Sequence, residues 1–418
     1  MKNLKGALMF GQSGGPTSVI NASAAGVFLE ARKHPNITAV YGLAHGIKGL
    51  LEEDFYDMNK EDEKELLLMK NTPSSSLGSV RYKLANVEKD DTDYKRILEV
   101  FKKYNVRYFF YNGGNDSMDT CNKISKYLLS VGYDCNIIGV PKTIDNDLYG
   151  TDHCPGFGSA AKYIATTLME LNLDAKVYDK GQVAVIEIMG RNAGWLTAAA
   201  SLAGYKGLGA DLIYLPEVPF CLDKFKKDVK RVMDANNGKC IACVSEGVRN
   251  KDGKLIVEEF SDEKSKDHFG HTQLGGLAIH LAGLINEEFG VKVRGIEFNL
   301  MQRCAAHLAS AVDVEEAFNA GVEAVKAAVN GNSDMMVAFE RDMSSGSYKC
   351  KYYLLPLEKV ANTEQKVPLE WIINDGTALS QDFIDYALPL IQGDCKAPLE
   401  DGLPRFARLK KVQAGLKK

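Results

Sequence analysis

The segment Pro141-Lys142-Thr143-Ile144-Asp145-Asn146-Asp147 packs two carboxylates, an amide, a hydroxyl and an amine into a few residues. It follows the apolar run Asn136-Ile137-Ile138-Gly139-Val140, which reads as a buried strand. Its polar groups therefore fall at a strand's carboxyl end, where open α/β sheets put their ligands. A carboxylate base, a cation and donors for oxyanions suit a site that moves a charged group. Taken alone, the segment reads equally well as a solvated turn, since Asn and Asp are common there.

Other segments shift the balance. Gly11-Gln12-Ser13-Gly14-Gly15-Pro16-Thr17-Ser18 is a glycine turn between a strand and a helix, where backbone N–H groups can approach an anion. It is neither a Walker A loop nor G-x-G-x-x-G, and a tight packing turn is the plainer reading. Asn112-Gly113-Gly114-Asn115-Asp116-Ser117 repeats the arrangement. Ser117 or Asp116 can cap the following helix. The oxygen ligands there suit magnesium, which binds through few protein groups plus phosphate oxygens. Ser75-Ser76-Leu77-Gly78-Ser79-Val80-Arg81 ends in an arginine able to grip phosphate bidentately. Met189-Gly190-Arg191-Asn192-Ala193-Gly194-Trp195 and Ser245-Glu246-Gly247 each follow a strand, and Arg294 precedes Gln302-Arg303. Each of these is more often structural when alone. Five strand-end segments sharing glycine, acid or arginine chemistry are not.

The elements that must position them alternate. Ala7–Phe10, Thr38–Tyr41, Tyr108–Tyr111 and Ile137–Val140 read as strands, with helices over Ser18–Lys33, Thr92–Lys103 and Ser117–Ser130. A second series has strands Val183–Ile188, Leu212–Leu215, Ile241–Val244 and Val291–Phe298. Its helices are Gly158–Asn172, Gly194–Gly204, Asp223–Ala235, Thr272–Glu288 and Ala305–Val329. The expected fold is α/β: two three-layer αβα domains with largely parallel sheets and the active site in the cleft between them. Residues 1–156 plus about 304–355 are expected to form one domain, and 157–303 plus about 356–418 the other. Residues 52–74 read as a surface insertion, Asp342–Lys351 as a hairpin turn, and Lys396–Lys418 as a basic tail.

Composition sets the class. A chain of 418 residues suits two domains, and a net charge of -4 argues against a nucleic-acid protein. Nine scattered cysteines, with Cys240-x-x-Cys243 inside an apolar run, read as buried free thiols in a reducing cytoplasm. Met1–Lys5 leads straight into a strand, without a signal peptide, and no apolar run approaches the ~20 residues of a membrane span.

Together, Gly-Gly-x-x-Ser, Thr-Ile-Asp-Asn-Asp, Met-Gly-Arg, Ser-Glu-Gly and Gln-Arg, in order from Gly11 to Arg303, resemble the phosphofructokinase family. The resemblance implies a glycolytic transfer of phosphoryl to the 1-hydroxyl of fructose 6-phosphate, in a homo-oligomer. Members that use ATP read Gly-Gly-Asp-Gly-Ser and Pro-Gly-Thr-Ile-Asp. Here Asp116 and Lys142 replace the two variable glycines, as in pyrophosphate-dependent members. A carboxylate at 116 would repel and crowd a nucleotide's α-phosphate, and the Lys142 ammonium would stabilise a compact pyrophosphate leaving group.

Carried over by motif, Asp145 is the general base, with Lys142, Asp116 and Arg191 also catalytic. Gly14, Gly15, Arg81, Lys142 and Ser117 hold pyrophosphate. Thr143, Ile144, Asp145, Met189, Gly190, Arg191, Glu246, Arg294 and Arg303 bind the sugar phosphate, Arg294 from a neighbouring subunit. Asn115 and Asp147 hold Mg2+. Asn115 stands where many members have Asp, Leu300 where bacterial ATP enzymes have His, and Gln182 where they have Arg, so another lysine is expected at the 6-phosphate. The competing readings are an ATP-dependent phosphofructokinase, a catalytically silent regulatory subunit, and a dinucleotide-binding oxidoreductase, the last disfavoured by the missing G-x-G-x-x-G.

Overall fold

The computed structural model describes residues 4–177, 179, 181–260, 275–361 and 363–416. In chain order its main strands are β1 Gly6–Gln12, β2 Ile37–Leu43, β3 Phe55–Asp57, β4 Val106–Gly113, β5 Asn136–Pro141, β6 Val183–Ile188, β7 Leu212–Tyr214, β8 Cys240–Ser245, β9 Val293–Glu297, β10 Met335–Asp342 and β11 Lys349–Pro356. They form a seven-stranded sheet, ordered β11-β10-β5-β4-β1-β2-β3, and a four-stranded sheet, ordered β7-β8-β6-β9. The second is parallel throughout. The first is parallel from β10 to β2, with β11 and β3 antiparallel at its edges.

β1 and β5 are buried along their whole length, as parallel strands covered by helices on both faces must be. Alternate residues serve opposite faces. Leu8 and Phe10 join one apolar cluster and Met9 the other; in the second sheet Val183 and Val185 oppose Ala184 and Ile186. On the first face, the helices Ile20–Ala31 and Ala311–Val329 touch backbone to backbone. A Cβ on Gly26 would lie 2.0 Å from the Phe318 carbonyl oxygen, and one on Gly321 2.1 Å from that of Ser23.

The strand order reverses between β1 and β4: the chain leaves β1 toward β2 and returns on the far side through β4 to β5. A crevice at the carboxyl ends opens at such a switch point. The Gly14-Gly15 turn leaves β1 on one side of it, and the Gly113–Asp116 turn leaves β4 on the other.

Several expectations shift. Ala305–Val329 is not one helix: the regular helix starts at Ala311, where the Ser310 hydroxyl accepts from the Asp313 amide at 3.4 Å. Gly194–Gly204 splits into Trp195–Ala198 and Ser201–Gly204. The helix expected over Thr272–Glu288 is Leu277–Phe289, with 272–274 outside the described residues. The hairpin at 342–351 is present, and it joins two long antiparallel strands, β10 and β11, beyond those expected.

Residues 52–74 are no mere surface insertion. They supply the edge strand β3 and bury Phe55, Met58, Leu66 and Met69. The basic tail packs on them, although the sequence grouped it with the second domain. Tyr56 pairs antiparallel with Gln413, and the Lys410 and Lys411 amides each donate to the Glu61 carboxylate at 2.7 Å. Acid-rich 52–74 and the basic tail are charge complements, and the tail covers an otherwise open sheet edge.

Candidate active site

The glycine turn after β1 is shaped by its neighbours. Gly14 has φ of 73°, which favours glycine. The Gly14 amide donates to the Val80 carbonyl at 3.2 Å, and the Ser79 hydroxyl donates to the Gly14 carbonyl at 2.6 Å. Gln12, wholly buried, holds this 75–81 segment: its Oε1 accepts from the Ser75 hydroxyl at 2.8 Å and the Leu77 amide at 3.1 Å. Arg81 is thereby held beside the turn, its own side chain exposed.

Lys142 enters from β5. Its ammonium donates to the Gly15 carbonyl at 2.7 Å and would lie 3.4 Å from a Cβ on Gly14. Arg303 Nη1 would lie 3.0 Å from a Cβ on Gly15. Lys142 is only 5% exposed, and burial lowers its pKa to about 8; Asp145 and Asp147 oppose the fall, while Arg303 and Arg81 add to it. Burial and Arg81 likewise lower Arg303. Three cations thus converge on one glycine turn, a cradle for a compact polyanion.

The facing wall is acidic. The Asp145 amide donates to the Thr143 hydroxyl at 3.1 Å, while the Thr143 amide donates to the Pro155 carbonyl at 3.2 Å. Burial in the cleft raises the Asp145 carboxyl, with Lys142 pulling it back. Asp147 is pushed up to about 7 by burial and by the charges of Asp145 and Glu364. Asn115, first residue of the helix Asn115–Ser130, donates from Nδ2 to Asp147 at 3.4 Å, and its buried Oδ1 has no partner. An orphaned amide oxygen beside crowded carboxylates fits a hard, oxygen-liganded cation. Asp116 occupies the first turn of that helix, exposed at its positive end.

The second sheet supplies the opposite side. The Gly190 amide, at φ of 142°, donates to Glu246 Oε1 at 3.3 Å, and the Ser245 hydroxyl donates to the Gly190 carbonyl at 2.6 Å. A Cβ on Gly247 would lie 2.1 Å from the Arg191 carbonyl oxygen, so glycine is needed to let this loop close on β8. The Met189 amide donates to Gln302 Oε1 at 3.3 Å, joining the Met-Gly-Arg loop to the helix that carries Arg303. Glu246 is raised to about 7, by burial first and then by Asp145 and Glu187. Asp145 and Glu246 therefore face one cleft from different sheets.

The remaining residues lie elsewhere. Ile144 points into the second domain's apolar core and pins the loop there. Ser117 is buried under the turn, where a Cβ on Gly113 would come within 1.9 Å of its Oγ. Arg294 is exposed on the edge strand β9. Leu300 is 51% exposed, whereas Gln182 is buried just before β6. Glu364 has no signal in the sequence. Its segment is brought in by a Leu148 bridge and by the Gln365 amide donating to the Asp147 carbonyl at 2.8 Å, and Asn192 Nδ2 donates to its Oε1 at 2.9 Å.

Residues 7–296 match the family described as Phosphofructokinase. The chain is 43% identical over 418 residues to a pyrophosphate--fructose 6-phosphate 1-phosphotransferase of Xanthomonas campestris pv. campestris, covering 99% of this chain and 98% of that one. To the protein of that name from Halomonas elongata it is 42% identical over 410 residues, 96% of each chain. The crystal structure of pyrophosphate-dependent phosphofructokinase from Marinobacter aquaeolei superposes with a TM-score of 0.88 at 39% identity, covering 99% of this chain and 98% of that one. A match across the cleft-building strands, with relatives alike from end to end, means that this chain belongs to the phosphofructokinase family.

Proposed function

We propose that this protein reversibly transfers a phosphoryl group from pyrophosphate to the 1-hydroxyl of fructose 6-phosphate, giving fructose 1,6-bisphosphate and phosphate. It is a glycolytic phosphotransferase. The observation that carries the reading is Lys142: a buried ammonium bonded to Gly15 fills space that a glycine at 142 would leave open to a larger donor.

Gly14, Gly15, Arg81 and Lys142 hold pyrophosphate, and the two arginines, Arg81 and Arg303, spread charge over its oxygens. Asp145 takes the proton of the sugar 1-hydroxyl, a role suited to a carboxyl whose proton affinity is raised. Lys142 and Arg191 stabilise the transferring group and the departing phosphate. Asp116 excludes nucleotide by charge. Thr143 orients the loop, and Ser117 supports the Gly113 turn. Met189, Gly190 and Glu246 bind the sugar, Glu246 by accepting its hydroxyl hydrogen bonds.

Asn115 and Asp147 are the residues that would hold Mg2+, which supplies charge neutralisation on the phosphoryl oxygens when bound. Arg303, expected at the 6-phosphate, lies against the Gly15 turn and serves the donor instead. Arg294, exposed at a sheet edge, grips the 6-phosphate of a neighbouring copy in a homo-oligomer. Among the described residues no helix is long and apolar enough to cross a membrane, and the reaction is proposed to run in the cytoplasm.

Purified protein assayed with each donor tests this. Turnover with pyrophosphate and little with ATP is expected; strong turnover with ATP alone would make it an ATP-dependent enzyme.

A further inference from the structure

Asn146 sits between Asp145 and Asp147, 1% exposed, with its backbone in the left-handed region at φ of 56°. Asparagine tolerates that conformation better than most residues. Its side chain is fully engaged: Oδ1 accepts from the Cys154 amide at 2.8 Å, and Nδ2 donates to the Tyr386 hydroxyl at 2.7 Å.

Tyr386 comes from the helix Gln381–Ala387, far along the chain. Its hydroxyl passes the bond on, donating to the Asp152 carbonyl at 2.8 Å. The ring is wedged against Trp195 and Trp371, with centroids at 5.2 Å and 5.6 Å. Its backbone carbonyl accepts from Arg341 Nη2 at 2.9 Å, and Arg341 is itself paired with Asp152 at 3.0 Å. The hydroxyl is thus a fixed point presented by rigid surroundings, and the turn carrying both cleft carboxylates is tied to it.

We propose that Tyr386 is a positioning residue of the reaction: its hydroxyl fixes the Asn146 amide and so aims Asp145 and Asp147 into the cleft. The inference rests on the phosphotransfer reading above. Tyr386 needs no contact with either substrate for this. A catalytic group displaced by about 1 Å can lose on the order of 10²-fold in rate.

Tyr386→Phe keeps the ring contacts and removes only the hydroxyl. The expected result is a kcat lower by about tenfold or more, with KM for both substrates within about twofold and a melting temperature lower by only a few degrees, the cost of leaving the buried Asn146 amide unpaired. Asn146→Ala should cause a similar loss, and the double variant should be no worse than the poorer single, because both cut the same bond. An unchanged kcat in folded Tyr386→Phe would overturn the proposal. So would losses that multiply in full in the double variant, or a loss confined to KM. If the phenylalanine variant does not fold, Asn146→Ala decides: a wild-type kcat there overturns the proposal, and a loss in kcat at constant KM supports it. Wild-type protein inactive with pyrophosphate would sink the phosphotransfer reading instead, a separate result.

Discussion

Lys142 and Gly15 are joined across the crevice at the carboxyl ends of the strands, the lysine ammonium donating to the glycine carbonyl at 2.7 Å. One residue comes from the end of β5 and the other follows β1, two strands separated in the sheet by β4. In the proposed reading, the bond holds a cation against the turn and closes it to a longer phosphate chain.

Removing that cation should therefore affect chemistry more than folding. Lys142→Met is expected to lower kcat with pyrophosphate by about 10²- to 10³-fold, the usual scale for losing one group that stabilises developing charge. Its melting temperature should hold, because a buried charge is replaced by an apolar chain of similar length. Asp116→Gly combined with Lys142→Gly should raise the ATP-to-pyrophosphate ratio of kcat/KM. Parallel donor assays check both.

Sugar binding should depend on pH through Glu246. Burial and the Asp145 charge raise its pKa to about 7, so it is neutral below that pH and an ionised acceptor above it. KM for fructose 6-phosphate should rise as pH falls below about 7. Glu246→Gln should raise KM at pH 8 and flatten the profile, which steady-state kinetics across the range will reveal.

Stability should depend on pH through His153. This ring is 2% exposed, between Asp152 at 2.8 Å and Glu316 at 2.7 Å. Burial lowers its pKa, but the two carboxylates outweigh that and raise it to about 9. An unfolded histidine titrates near ~6.5. A folded value above the unfolded one gives stabilisation that is complete below about pH 6.5 and lost as pH rises through about 9. Denaturant midpoints should fall across that window in the wild type and stay flatter in His153→Gln. At pH 6.5 that variant should be less stable by about 3–5 kcal/mol, the cost of breaking a buried ion pair.

Packing gives a prediction far from the cleft. Gly26→Ala would place a methyl 2.0 Å from the Phe318 carbonyl oxygen, and backbone cannot yield as a flexible side chain does. A loss of about 1–3 kcal/mol is expected, the range for overpacking a tight core. KM for both substrates should not change, and calorimetry with kinetics separates the two effects.

The sequence by itself determined the chemistry available at each strand end. Apolar runs such as Ile137–Val140 and the turn residues that follow them, such as Gly113-Gly114, are signals spanning only a few positions, because strand burial and tight turns are local demands on residue type. The α/β class, the Lys142–Asp147 segment and the Asp116–Lys142 combination were legible for that reason.

Only the tertiary structure decided which of these groups meet. It set Arg303 against Gly15, Glu246 within the field of Asp145, and Asn115 against Asp147. It also brought Glu364 and Tyr386 to a loop more than two hundred positions away, and laid the basic tail on the acid-rich edge at 52–74. No local pattern encodes such meetings. They follow from burying two faces of two sheets at once, a condition that holds for the whole chain and for no window of it.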